Sequence, residues 1–377
     1  MTASAIIPLR ILKAKTSEII NKPLPIKLTI ALTFLCNSRC KTCNIWKIYK
    51  EKPNMVYKEL PIATWLKLLN ELRETLIWLE FTGGEPFLKN GIDKILVHAF
   101  KNTSVYAIGI TTNAVYPEHT LNVLSRIINE VPSNKQLIIG ISIDGTPDLH
   151  DEIRGIKGNF ERAIYLYRKI KMLREQYKNI HVHFSYTVSQ YNAGRLKELY
   201  EYLRDSKIID NISEISITIE HYTAFYNRGI TNIHNSYRKL TNDIKRDIEN
   251  YIKLLRNDNY KNKGIINSVK LTFYKFYARK ILNFITNPRR MIIPCVAGKF
   301  SAYIDPYGNV YPCTQWLVKL GNIKKQTFKE IWFSKKTDDI RKSIAKGECP
   351  NCWTPCEAQP SWIMNFSTLL SSLLCIR

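Results

Sequence analysis

No apolar run in this 377-residue sequence is long enough to span a bilayer, so no transmembrane helix is expected. The opening residues, MTASAIIPLRILKAK, hold an apolar stretch too short and too interrupted for a secretory signal. Both absences point to a cytoplasmic chain whose thiols stay reduced. Acidic residues are the second scarcity: 32 Asp and Glu stand against 56 Lys and Arg, a formal charge of +24. A surface so short of acids attracts anions, whether phosphorylated substrates, nucleic acid or the inner face of an anionic membrane. It equally suits a well-solvated basic exterior. No internal repeat or low-complexity tract is present, which excludes a solenoid or a long disordered arm.

Cysteine is sparse and unevenly placed. The nine residues fall into two groups, 36–43 and 295–356, with Cys375 alone near the end. An odd count in tight local spacings fits metal ligation better than disulfides.

Apolar, β-branched runs at 28–35, 76–82, 106–112, 137–144, 181–189 and 214–220 read as strands. Helix-period segments lie between them, for example 62–73, 160–177 and 193–205. Such alternation specifies an α/β fold, a parallel sheet with right-handed crossovers. Polar and Gly-rich motifs fall at strand ends, where βα barrels place their active sites. Before the first strand, residues 1–27 form a basic arm with Arg10, Lys13, Lys15, Lys22 and Lys27 against Glu18 alone. Residues 226–290 read as a helical basic connector, and 259–304 contains nine Lys or Arg and no acid. There Phe273, Phe276, Tyr277, Ile281 and Phe284 recur at helical spacing, as a membrane-surface helix or a core stripe would. The apolar tail, 358–377, has a stripe of Trp362, Phe366, Leu369, Leu370, Leu373 and Leu374 that suits a domain, a partner or a membrane interface.

The segment LTFLCNSRCKTCNIW sets Cys36, Cys40 and Cys43 as C-x3-C-x2-C straight after the first strand. Thiolates are the usual ligands of iron–sulfur clusters, and three of them leave the fourth iron open. Structural zinc takes four ligands, and no fourth Cys or His lies nearby. With Gly83-Gly84-Glu85-Pro86 closing the second strand, this loop resembles the radical SAM superfamily. The resemblance implies a partial (β/α)6 TIM-like barrel over residues 28–225 and a [4Fe–4S] cluster on the three cysteines. It also implies S-adenosylmethionine chelated at the open iron and cleaved by one electron to a 5′-deoxyadenosyl radical. The electron would come from a donor such as ferredoxin or flavodoxin. By the same resemblance Gly83 and Gly84 give the methionine end of the cofactor close backbone approach, and Glu85 holds its ammonium. Pro86 completes the motif. Thr111, Thr112 and Asn113 end the third strand, and Ser142 and Asp144 the fourth; these face the methionine or ribose. In SIDGTPDLHDEIRG, Arg154 is placed to neutralise a carboxylate, beside His150, and Glu220 is a further pocket candidate. Many members carry an aromatic before the third cysteine. Here Thr42 stands there, which leaves Trp46 as an alternative adenine contact.

Cys295, Cys313, Cys349, Cys352 and Cys356 form the second group, with Gly308 five residues before Cys313 and a charged helix before CPNCWTPC. This resembles the SPASM extension and its shortened twitch form, over residues 291–357. A full SPASM domain needs more than five cysteines, so one auxiliary [4Fe–4S] cluster is expected. By analogy Cys295 and Cys313 pair with two of the last three, Cys349 and Cys352 first, with Cys356 as substitute or spare. A zinc ribbon is the alternative for these thiols.

The resemblance, covering residues 28–357, implies hydrogen abstraction from a substrate, with the auxiliary cluster aiding oxidation or coupling. A small molecule or lipid-linked precursor, anionic in keeping with the charge, ranks first, and peripheral membrane contact would follow from the lipid version. The alternative is a peptide-modifying maturase, although the short stretch before Cys36 leaves no room for a precursor-recognition domain. Thr314 stands where anaerobic sulfatase maturases carry a catalytic Asp, which argues against that reaction. A non-catalytic zinc protein binding RNA fits the charge. It does not explain Gly-Gly-Glu-Pro or the three-ligand loop, so nucleic acid is not expected as a partner.

Overall fold

The six β-rich runs become six consecutive strands in a computed structural model, which describes residues 3–20, 22–221, 233–257, 265–287 and 292–368. These are β1 (Lys27–Thr33), β2 (Trp78–Gly83), β3 (Ala107–Thr112), β4 (Gln136–Ser142), β5 (Ile180–Val188) and β6 (Ile215–Ile219), each parallel to its sequence neighbour. Helix α1 (Ala3–Ile20) precedes them. Among the crossovers are α2 (Lys47–Glu51), α3 (Ile62–Glu71), α4 (Ile92–Asn102), α5 (Pro117–Ile127), α6 (Pro147–Arg154), α7 (Asn159–Gln176) and α8 (Leu196–Asp205).

Period-two alternation decides which side of each strand meets the helices. Along β5, Ile180, Val182, Phe184, Tyr186 and Val188 are buried in the main core, where Phe184 stacks on Tyr167 of α7 with centroids 4.2 Å apart. Each large apolar side chain so buried contributes about 1.5–3 kcal/mol. The opposite face of the sheet is polar and turns inward.

The sheet does not stop at β1. Strand β7 (Ser301–Ile304) runs parallel beside it, with Lys27 opposite Ser301. Strands β8 (Asn309–Tyr311) and β9 (Gly321–Asn322) then add antiparallel, giving nine strands in the order β6-β5-β4-β3-β2-β1-β7-β8-β9. The β7–β8 turn is set by Asp305, whose Oδ1 accepts from the backbone N–H of Tyr307 and Asn309, and by Gly308 at φ +84°. The chain before β7 supplies α9 (Ile233–Asn257) and α10 (Ile265–Thr286); after β9 come α11 (Phe328–Trp332), α12 (Lys335–Lys346) and α13 (Pro355–Met364).

The basic segments turn their apolar faces to the protein. On α10, Phe273, Tyr277, Ile281 and Phe284 are buried; Tyr277 stacks on Trp353 and Phe276 on Trp362. Ile7, Ile11 and Ala14 of α1 pack with Ile26, Val296 and Phe300. Arg10 donates to the carbonyl of Leu76 at 2.8 Å, and Lys15 to that of Met364. Lys27 is no arm cation: it opens β1 and is 1% exposed. In the tail Trp362 is buried and Phe366 exposed. Leu369, Leu370, Leu373, Leu374 and Cys375 lie outside the described residues, within which no helix is long and apolar enough to cross a membrane.

Candidate active site and metal-binding cysteines

The loop after β1 carries Cys36, Cys40 and Cys43, all free thiols. It is clamped to the end of β2. Gly84 N–H donates to Thr33 O and Glu85 N–H to Leu35 O, both at 2.8 Å, continuing the parallel ladder past the strands. A Cβ on Gly83 would fall 2.2 Å from Thr33 O, and one on Gly84 2.1 Å from Leu35 O; Gly83 also sits at φ +124°. The chain itself therefore requires both glycines, to bring the cysteine loop against the sheet end. Below the loop, Glu59 accepts from Phe34 N–H at 3.1 Å and Tyr49 OH at 2.6 Å, and pairs with Lys89 at 2.9 Å.

Around this loop the strand ends converge. Asn113 donates through Nδ2 to Asn37 Oδ1 at 2.9 Å and approaches Cys36 Sγ at 3.7 Å. Its backbone N–H donates to Glu85 Oε2 at 2.8 Å. Burial pushes the Glu85 carboxyl up to about 7, against the pull of the Asn113 and Phe87 N–H groups and Thr112. Pro86 starts the following short 3-10 turn and is buried. Thr112 and Ser142 are buried, whereas Thr111 is exposed on the inner side. Asp144 is 2% exposed and takes Arg154 Nε on Oδ2 at 2.5 Å; Arg154 Nη1 lies 3.7 Å from Cys40 Sγ. Burial works against the guanidinium's charge, but Asp144 and Cys40 outweigh it and hold its pKa above the ordinary value. Burial, with Arg154 beside it, lowers His150 to about 4. Trp46 is ringed by Arg39, Lys47 and Lys50.

Two observations bear on what this site could hold. Asn37 Nδ2 and Asp144 Oδ1 are buried without a hydrogen-bond partner, an arrangement that calls for a polar ligand. Among the described residues no three His, Cys, Asp or Glu side chains converge as a single-ion site. Cluster ligands need not converge, because each thiolate binds a different iron. The sulfurs do feel one another: burial first, and then Cys40, push Cys36 and Cys43 up to about 12. A bound cation would offset that penalty and release the thiol protons.

The second group surrounds a pocket at the far end of the sheet. Cys295, Cys313, Cys349 and Cys352 line it, with Trp353 and Glu357. Burial, reinforced by Glu357, holds Cys295 and Cys313 well above the ordinary thiol range. Cys356 is not among the lining residues. It lies beside Lys27, Glu80 and Glu357; burial raises its thiol to about 11 while Lys27 pulls it down. Since Cys295 precedes β7 and the first group follows β1, the two groups sit at opposite ends of paired strands. Seven residues of β1 separate them by about 20 Å.

The chain matches two family profiles, the radical SAM superfamily over residues 30–203 and SPASM, an iron–sulfur cluster-binding domain, over residues 295–353. Parallel α/β architecture, a thiol loop at the strand ends and a C-terminal cysteine domain define an iron–sulfur enzyme. The chain belongs to the radical SAM superfamily, in its SPASM-bearing branch.

Among curated proteins it is 23% identical, over 83% of this chain and 60% of the relative, to the antilisterial bacteriocin subtilosin biosynthesis protein AlbA of Bacillus subtilis (strain 168). It is 25% identical, over 80% of this chain and 71% of the relative, to the pre-heme d1 synthase of Dinoroseobacter shibae. The solved structure of native anSMEcpe with bound AdoMet and Cp18Cys peptide aligns over 94% of this chain and 99% of that one, with TM-score 0.56 and 17% identity. That likeness concerns the fold.

Sequence reasoning missed Lys27, counted there among surface cations. It also missed the inner face of β5, His181, His183 and Ser185, although strict alternation in IHVHFSYTV was the available signal.

Proposed function

We propose that Cys36, Cys40 and Cys43 hold the [4Fe–4S] cluster at which S-adenosylmethionine is reductively cleaved, and that Cys295, Cys313, Cys349 and Cys352 hold one auxiliary cluster. When bound, that cluster and cofactor would supply the radical chemistry that removes hydrogen from the substrate. The observation that carries this reading is the three-thiol loop locked onto Gly83 and Gly84, beside two orphaned buried polar atoms, Asn37 Nδ2 and Asp144 Oδ1. In it, residues 28–225 form the radical core, 226–290 the connector and 291–357 the auxiliary domain.

This chain's residues have definable tasks. Glu85, Thr111, Thr112, Asn113 and Ser142 orient the cofactor at the strand ends. Asp144 keeps Arg154 charged in a buried position, where Arg154 serves either the cofactor carboxylate or the Cys40 sulfur. Asn113 steadies the cysteine loop through Asn37.

The substrate is a polar small molecule or peptide. A peptide is favoured by the bacteriocin-biosynthesis relative, and a small molecule by the pre-heme d1 synthase. The lipid reading loses support from α1 and α10, whose apolar faces are packed inside. Iron and acid-labile sulfide, measured after anaerobic purification, should give two clusters per chain. A colourless protein with stoichiometric zinc and no sulfide would refute the proposal.

A further inference from the structure

One buried carboxylate holds the three-thiol loop from both flanks. Glu59 follows the 3-10 turn Pro53–Lys58, and its side chain is 7% exposed. Its Oε1 accepts from Thr33 Oγ1 at 2.6 Å, Phe34 N–H at 3.1 Å and Tyr49 OH at 2.6 Å. Thr33 Oγ1 accepts in turn from Leu35 N–H at 2.9 Å. The chain entering Cys36 is thus anchored from Thr33 to Leu35. Tyr49, on the helix after Cys43, anchors the chain leaving the loop. Glu59 Oε2 pairs with Lys89 at 2.9 Å, and Lys89 caps the 3-10 turn that Pro86 begins. A carboxylate accepts about four hydrogen bonds and donates none, so these donors fill it. An amide in its place would turn N–H groups on Lys89.

The carboxyl-terminal domain grips the same short segment. Leu60 N–H donates to Pro306 O at 2.7 Å, and Lys324 Nζ to Lys58 O at 2.7 Å. Tyr307, in the β7–β8 turn, donates through its hydroxyl to Tyr49 OH at 3.2 Å. Its ring meets Phe34 edge-on, with centroids 5.7 Å apart. Tyr307 is itself fixed, since Asp305 accepts its N–H and Asn322 Nδ2 donates to its carbonyl at 3.1 Å. A hydroxyl chain therefore runs from this domain through Tyr49 to Glu59, and from there to the backbone before Cys36. The second cysteine group lies toward the other end of the paired strands, so this contact is separate from metal ligation.

Resting on the assignment of the first cluster to Cys36, Cys40 and Cys43, we propose that Glu59 and Tyr307 are positioning residues for it. Through them the carboxyl-terminal domain sets the shape of the three-thiol loop without supplying a ligand.

The test follows backbone hydrogen exchange in the full-length protein, purified anaerobically with its iron. Two peptides are compared, one covering residues 34–49 and one covering 349–356. Tyr307→Phe removes the hydroxyl and keeps the ring. It should speed exchange in the first peptide about fivefold and leave the second unchanged. Glu59→Gln should speed it about tenfold or more, because it also loses the charged contact with Lys89. Since Tyr307 acts through Tyr49, the double variant Tyr49→Phe, Tyr307→Phe should exchange no faster than Tyr49→Phe alone. The S-adenosylmethionine-sensitive EPR signal should be lost to an iron chelator faster in Tyr307→Phe than in wild type. Wild-type exchange in Tyr307→Phe, equal acceleration of both peptides, or additive effects of the two tyrosine substitutions overturns the proposal. If Glu59→Gln fails to fold, the tyrosine variants decide alone. Wild-type protein that takes up no iron overturns instead the cluster assignment beneath it.

Discussion

Lys27 Nζ donates to the backbone carbonyl of Cys356 at 2.5 Å, tying the first strand of the barrel to the last cysteine of the C-terminal group. The ammonium also lies 4.6 Å from the Trp78 ring centroid and offsets the buried carboxyls of Glu80 and Glu357. Burial raises the pKa of both carboxyls, so Lys27 is what makes their charge tolerable there. Lys27→Met should destabilise the protein by about 3–5 kcal/mol, because it strips the partner from buried acids. Urea unfolding at neutral pH measures this. A loss below 1 kcal/mol would mean that the cation is dispensable.

Cys356 itself does not line the pocket that the other four thiols share. Cys356→Ala should therefore keep the auxiliary iron, whereas Cys313→Ala should lose it, leaving about half of the total iron. Equal losses in both variants would assign Cys356 as a ligand.

Gly84→Ala should prevent the first cluster from assembling while sparing the second. Its Cβ would be driven against Leu35 O, and relieving the clash moves the cysteine loop, at a cost of about 3 kcal/mol. Iron analysis after reconstitution should again fall by about half. Full iron content would show that the close approach is not required.

Strand positions were legible because β-branched runs alternate with helical periods, and predicted and observed strands differ only at their ends. The cysteine loop and Gly-Gly-Glu-Pro were legible for a related reason: short-range spacing carries their chemistry. β7 beside β1 was not, since that pairing joins residues 27 and 301 and leaves no local trace. Lys27 looked like one more cation of a basic leader, and only the C-terminal domain packed over it makes it buried. The glycine pair was found for one reason and is needed for another, since the chain's own carbonyls already exclude side chains there.

Stability should fall with acid through the buried imidazoles. A histidine lowered to about 3 when folded, as His183 is, binds fewer protons than the unfolded chain. Its stabilising effect is present above the unfolded pKa of about 6.5 and is lost as pH falls from there toward the folded value. Relative to wild type, His183→Gln should therefore lose about 2 kcal/mol less between pH 7.5 and pH 5. Urea titrations of the metal-free proteins at the two pH values check this, and identical slopes would contradict it.

The most direct test of the account is 5′-deoxyadenosine formation by anaerobically purified protein given dithionite and S-adenosylmethionine. Wild type should form it, and Cys36→Ala, which takes one ligand from the three-thiol loop, should form none. Cys313→Ala, with the first group intact, should retain a substantial part. If Cys36→Ala matched wild type, or if Cys313→Ala lost cleavage completely with its first cluster present, the division of labour between the two cysteine groups would be wrong.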